Sequence, residues 1–148
     1  MINIKALNKY YNKNRSNEIH VINDINLELP DKGMVAVFGK SGCGKTTLLN
    51  AIGGLDRTDS GSILIDGENI AENTDVIRNK YIGYIFQNYN LNVLENNFEN
   101  VADALRLCGV ADKDEIERRT IAALTSVGME KYKYRYPNTL SGGQQQRV

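Results

Sequence analysis

The 148-residue sequence is 41% apolar and 24% charged, the balance of a globular domain long enough to bury a core. Eighteen basic residues offset eighteen acidic ones, which gives no support for bulk binding to nucleic acid or to an anionic membrane. No apolar run reaches the about 20 residues that span a bilayer, and the N-terminus lacks a signal-peptide layout, so work at a membrane requires a partner to hold the chain there.

The opening MINIKALNKYY alternates apolar and polar positions and predicts a strand. A turn-prone stretch, NKNRSNE, separates it from IHVINDINLEL, which alternates again, so the two predict antiparallel strands around an open loop. Pro30 to Gly33 forms a turn, and MVAVF is continuously apolar, the pattern of a strand buried on both faces of an α/β sheet. TTLLNAIGGL has helical spacing and closes at Gly53 and Gly54. GSILIDGENI predicts a strand and a turn, and YIGYIF another strand. From about Asn96, ENVADALRLCGV and DKDEIERRTIAALTSVGM carry apolar residues three and four apart, as amphipathic helices do. Pro137 ends that helical stretch, and LSGGQQQRV opens a further helix. The division is therefore residues 1–95 and residues 96–148, with no repeat or low-complexity linker.

Between MVAVF and the helix stands GKSGCGKTT, which fits G-x-x-x-x-G-K-[ST] with Gly39, Gly44, Lys45 and Thr46 in register. Glycines let successive N–H groups converge on one point, and the following helix adds its free N–H groups and positive dipole end. Residues Gly39, Lys40, Ser41, Gly42, Cys43, Gly44, Lys45, Thr46 and Thr47 are the expected phosphate cradle. Lys45 is expected to reach the β- and γ-phosphates and Thr46 to ligate Mg²⁺. The competing reading is a glycine-rich turn that binds nothing, but the flanking strand and helix are the context that phosphate binding requires. Cys43, near a helix start and Lys45, stands where a thiolate is favoured, although a small residue that simply fits explains it as well. Cys43 and Cys108 show no metal or framework spacing, which fits a reducing compartment.

LSGGQ narrows the class. Together, GKSGCGKTT and LSGGQQQRV resemble the nucleotide-binding domain of ATP-binding cassette (ABC) proteins, and the resemblance covers the whole chain. It implies an α/β phosphate-loop NTPase fold with an antiparallel β subdomain and a helical subdomain, binding ATP with Mg²⁺. In that family, LSGGQ of one subunit closes over ATP held by the phosphate loop of a second. The resemblance thus assigns Ser141, Gly142, Gly143 and Gln144 to nucleotide; taken alone, Ser141 also reads as an N-cap before two loop glycines. Gln87 matches the glutamine that touches Mg²⁺ and the attacking water, although a polar residue ending a strand explains it equally. An aromatic ring near the start stacks on adenine in the family, and LNKYY favours Tyr11 over Tyr10, with core or edge packing the alternative for either. The single histidine, His20, does not occupy the family's catalytic position.

NAIGGLDRTDSGSILIDG and YIGYIFQNYNLNVLENNFENV look like the branch serving macrolide and antimicrobial-peptide export and lipoprotein release. The segment after Gln87 normally meets the coupling helix of a membrane permease. The implied partners are a second nucleotide-binding domain and that permease, with localisation at the inner face of the cell membrane and no nucleic acid. A truncated binding module without hydrolysis, and a soluble ABC ATPase outside transport, are the other readings. Long coiled-coil insertions mark some soluble relatives; here Gly39 and Ser141 stand only 102 positions apart (141 − 39), with no heptads between them.

The family pattern continues past LSGGQ with a buried strand ending in aspartate, an adjacent glutamate and a switch histidine. These residues are not in the sequence, so the chain reads as C-terminally truncated, and the expectation is no ATPase activity from it alone. The strand that would follow lies mid-sheet in the family, so MVAVF is expected to lose its cover and to invite aggregation.

Overall fold

The computed structural model describes residues 1–148, which divide into two compact units, Met1–Tyr84 and Ile85–Val148. In the first unit, β1 (Ile2–Tyr11) and β2 (Ile19–Leu29) pair antiparallel, as their alternation predicts. β3 (Ser60–Ile65) pairs with the other edge of β1 and turns back into the short β4 (Glu68–Asn69). The sheet order is β2-β1-β3-β4, antiparallel throughout. Helices α1 (Lys45–Ile52) and α2 (Thr74–Tyr81) complete the unit. Ile4, Leu7, Ile22, Ile63 and Ile65 from the strands bury with Leu48, Ala51, Ile70 and Ile77 in one core.

A bulge in β1 decides which side chains face that core. Between Ile4 and Leu7 the strand advances three residues while β2 advances two, β3 falls out of step between Lys5 and Asn8, and Ala6 takes φ 47°. The extra residue shifts the alternation, so Ile4 and Leu7 are both buried although three apart. From Leu7 onward, Lys9 and Tyr11 lie on the core face and Tyr10 on the other. Gly61, opposite the bulge, has φ 88°, and a Cβ there would stand 2.4 Å from the Ala6 carbonyl oxygen. The bulge therefore has room only against glycine.

Two strand expectations are overturned. Residues 34–38, MVAVF, form no strand, and no ladder pairs with them. A strand exists only where a neighbour takes its N–H and C=O groups, and neither edge of the four-stranded sheet offers one to this segment. Its side chains are open instead of buried on both faces, with Met34 95% and Phe38 90% exposed. YIGYIF likewise has no ladder: Tyr81 closes α2, and residues 82–86 run as irregular chain. α2 itself was not predicted, because Ile77 is its single fully buried residue and the apolar stripe is thin.

In the second unit, α3 (Asn97–Leu107) starts at Asn96, whose side chain accepts from the Glu99 N–H. α4 (Lys113–Ser126) starts at Asp112, which accepts from the Glu115 N–H. These caps satisfy backbone donors that a helix start otherwise leaves orphaned. α4 ends at Ser126, ahead of the expected stop at Pro137, because Gly128 takes φ 70° and turns the chain. Pro137 instead opens a single 3₁₀ turn, Pro137–Thr139. Buried Asn97 fastens α3 to the following segment: its N–H reaches the Arg135 carbonyl and its Nδ2 the Tyr132 carbonyl, at 2.9 and 2.8 Å. Leu124, Met129 and Leu140 form the core, and α5 (Gly142–Gln145) is the single turn that LSGGQ opens.

Candidate functional site

The loop 39–44 leads into α1 through Gly44, whose φ of 91° lies in the left-handed region. A Cβ there would meet Val21 Cγ1 at 2.9 Å and the Val21 carbonyl oxygen at 3.1 Å. The loop thus turns tightly against β2, at a position where L side chains are both strained and crowded. Gly42 is also left-handed, at 78°. No side chain caps the start of α1, so its first N–H groups remain available to an anion.

Lys45 folds back beneath the loop. Its Nζ donates to the carbonyls of Gly39 and Lys40, each at 2.8 Å, and lies 3.8 Å from Cys43 Sγ. Those two bonds hold an ammonium, which carries three donors, within the loop's own ring of backbone. The Cys43 thiol sits over Gly39, where a Cβ would approach it to 2.6 Å. Lys40, Ser41, Gly42, Cys43 and Thr46 are exposed, Thr47 half-buried and Leu48 buried, so one turn of α1 carries both loop chemistry and core.

Tyr11 joins this group. Its hydroxyl lies 3.4 Å from Thr47 Oγ1 and donates to Asp56 Oδ2 at 3.2 Å. Tyr11 is 40% exposed and has the Lys9 ammonium 5.4 Å from its ring centre. Tyr10, one residue earlier, points the other way and stacks on His20 with ring centres 3.9 Å apart and planes within 9°. His20 Nε2 bonds Asn8 Oδ1 at 2.9 Å, so the histidine is a packing residue here. The Tyr10 N–H and Lys13 hold Asp59 below the usual carboxylate range.

Gln87, Ser141, Gly142, Gly143 and Gln144 belong to the second unit. Gln87 is exposed on a turn, since the expected strand before it does not form; Tyr89 donates its N–H back to the Phe86 carbonyl across that turn. Ser141 and Gln144 make a reciprocal capping box: Ser141 Oγ accepts from the Gln144 N–H, and Gln144 Oε1 accepts from the Ser141 N–H. The capping reading of Ser141 is therefore realised. Its hydroxyl acts as acceptor within the cap, which leaves the hydroxyl proton for another partner.

Three residues escaped the sequence reading. Lys9 and Asp56 hold Tyr11, and their meeting joins β1 to the turn after α1, which no local sequence signal marks. Tyr89 stands with its hydroxyl 2.9 Å from where a Cβ on Gly142 would be. Tyr89 and Asn90 take consecutive left-handed conformations, at 62° and 55°, which nothing in the local sequence announces.

Residues 22–148 match the family model described as ABC transporter. The chain is 42% identical to the spermidine/putrescine import ATP-binding protein PotA of Haemophilus influenzae, covering 100% of this chain and 38% of that protein. It is 40% identical to the Fe(3+) ions import ATP-binding protein FbpC 1 of Pectobacterium atrosepticum, covering 99% and 40%. The chain thus spans about two fifths of the length of these curated relatives. Among solved structures it is similar to the ATP-binding cassette MJ0796, seen as a dimer with ADP and Pi, at 34% identity and a TM-score of 0.90 over 99% of this chain and 66% of that one. With the family model matched over residues 22–148, from β2 to the last residue, the chain belongs to the ABC transporter family.

Proposed function

We propose that this chain is the ATP-binding part of a transport ATPase, holding nucleotide on Gly39–Thr47 with adenine against Tyr11. The observation that carries the proposal is the Lys45 ammonium folded onto the Gly39 and Lys40 carbonyls below an uncapped helix start, with Tyr11 tied to Thr47 beside it. A polyanion entering the loop meets convergent N–H groups, the helix dipole and a fixed cation. Thr46 offers one exposed hydroxyl, and no group of three or more His, Cys, Asp or Glu side chains is placed to hold a metal ion. That donor set fits Mg²⁺ arriving with nucleotide phosphates, which keeps most of its ligands as phosphate oxygen and water. On the loop, Thr46 is the residue that would hold it, and the ion would neutralise phosphate charge.

In this proposal Ser141, Gly142, Gly143 and Gln144 serve the nucleotide of a second domain, and hydrolysis needs residues beyond the segment that this chain shares with its relatives. A permease at the inner face of the cell membrane is the second partner; no helix here is long and apolar enough to cross a membrane. For direction of transport, residues 50–67 and 81–101 support the export branch, whereas the relatives named above carry import in their names. Those relatives share the ATP machinery, which touches no cargo, so export stays the proposal; permease-containing vesicles that drive cargo only inward on the transport side would overturn it.

The test is calorimetric titration of the whole chain with Mg-ATP beside a Lys45→Ala variant. The expected result is binding that the variant loses by roughly tenfold or more, as removal of a charge-assisted contact implies. Phosphate release should be equal in the two proteins. Equal ATP affinity would sink the binding site; phosphate release that depends on Lys45 would instead give this chain hydrolysis of its own.

A further inference from the structure

We infer that Asp56, assisted by Lys9, is a positioning residue that fixes the Tyr11 ring to receive a purine base. The inference rests on the nucleotide reading of the loop and adds two residues to it. Four side chains from three places meet here: Lys9 and Tyr11 from β1, Thr47 from the first turn of α1, and Asp56 from the turn after α1. The Leu55 and Asp56 N–H groups both donate to the Asn50 carbonyl, at 2.8 and 3.3 Å, which sets the backbone of that turn. Asp56 Oδ1 accepts from Lys9 Nζ at 2.7 Å, and Oδ2 accepts from the Tyr11 hydroxyl at 3.2 Å. Lys9 Nζ also donates to the Arg57 carbonyl at 2.5 Å.

The bonding directions are forced. A carboxylate accepts only and an ammonium donates only, so the Tyr11 proton goes to Asp56 and its oxygen lone pairs face the Thr47 hydroxyl. The series Thr47, Tyr11, Asp56, Lys9 therefore runs one way from the phosphate loop to a paired charge. That pair is sunk, with the Lys9 side chain 13% and the Asp56 side chain 29% exposed, and is less screened than a surface pair. Because Lys9 neutralises Asp56, the carboxylate fixes the phenol without presenting net negative charge to an approaching triphosphate.

The consequence is preorganisation. An exposed tyrosine that is free to turn must lose rotamer freedom when a base stacks on it, whereas a tethered ring has lost it already. Lys9 also lies over the ring, 5.4 Å from its centre, a cation–π contact that occupies one face. The Thr47 contact couples the ring's height to the phosphate loop, so base and phosphates are measured against the same turn of helix.

The experiment titrates the whole chain with Mg-ATP and, separately, with inorganic tripolyphosphate, which has no base. Variants are Asp56→Asn, Tyr11→Phe, the double variant, Tyr11→Ala and Lys45→Ala. The expected result is roughly two- to tenfold weaker ATP binding for Asp56→Asn and for Tyr11→Phe, with the double variant no weaker than either. Tripolyphosphate binding should be unchanged in all three. Asp56→Asn with wild-type ATP affinity, while Tyr11→Ala weakens it, overturns the positioning role and leaves the nucleotide reading standing. A fall in tripolyphosphate binding for Asp56→Asn also overturns it, by showing a general effect on the loop. If Tyr11→Ala binds ATP as wild type does, or if Lys45→Ala has no effect, the stacking or the nucleotide reading itself fails and the inference falls with it.

Discussion

At the scale of single residues, glycines in the two motifs answer to different constraints, and the difference can be measured. Gly44 combines a φ of 91° with a Cβ position 2.9 Å from Val21 Cγ1 and 3.1 Å from the Val21 carbonyl. Gly44→Ala must relax a left-handed backbone and push β2 away, at a cost of about 1–3 kcal/mol. Denaturant unfolding should show that loss, together with weaker ATP binding, since the loop's N–H groups no longer converge. Gly143, in LSGGQ, has nothing within 4 Å of its Cβ position and no positive φ, so Gly143→Ala should leave the unfolding midpoint within the small range of surface substitutions. Equal destabilisation of the two variants would contradict this account. The sequence marked both as motif glycines; Gly44's left-handed φ and its approach to Val21 tell them apart, and that contact joins residues far apart in the chain.

Among elements, what could be read in advance followed the range of the interaction that makes each one. β1, β2 and β3 were legible because alternation records a sheet with one buried face, and α3 and α4 because their apolar residues recur three and four apart. MVAVF and YIGYIF were misread because a continuous apolar run says only that burial is wanted, not that a ladder partner is present. α2 had charges in place, with Asp75 in its first turn and Arg78 and Lys80 in its last, but no side-chain cap and too little buried surface to show a period. The entry to α3 carries a further strain that propensity does not reveal. Glu95 has its Oε2 buried without a partner, and burial followed by the neighbouring Asp103 carboxylate raises its pKa, with Glu99 adding to the effect and Asn92 opposing it. Arg106 is engaged by Glu99 and Asp103 and does not relieve Glu95. A raised carboxyl favours the folded state below the ordinary value of 4.5, and that contribution is lost as pH rises through the folded-state value. Glu95→Gln should therefore melt with wild type below pH 4.5 and above it at pH 7. A difference independent of pH would show that packing, not ionisation, governs this position.

For the whole molecule, the first unit closes a core on one side of its sheet while leaving an apolar segment uncovered. Met34, Val35, Val37 and Phe38 are all exposed, and they follow one another immediately before the phosphate loop. Scattered apolar residues at a surface are ordinary, but a contiguous run with unpaired backbone is a template for another chain. The segment's side chains contribute nothing to the cores of either unit, so changing them should separate association from folding. The variant Met34→Asp with Phe38→Ser removes the two most exposed anchors. Transfer of such side chains from water is worth roughly 1.5–3 kcal/mol each, so weakening of self-association by roughly tenfold or more is expected. Sedimentation across a concentration series would read that shift, and denaturant unfolding of the same samples should keep its midpoint. Met34 stands five positions before Gly39, so a companion Met34→Asp single variant should associate less yet bind ATP as wild type does. Unchanged association in both variants would mean that another surface draws the copies together; a lowered unfolding midpoint would mean that residues 34–38 support the fold despite their exposure.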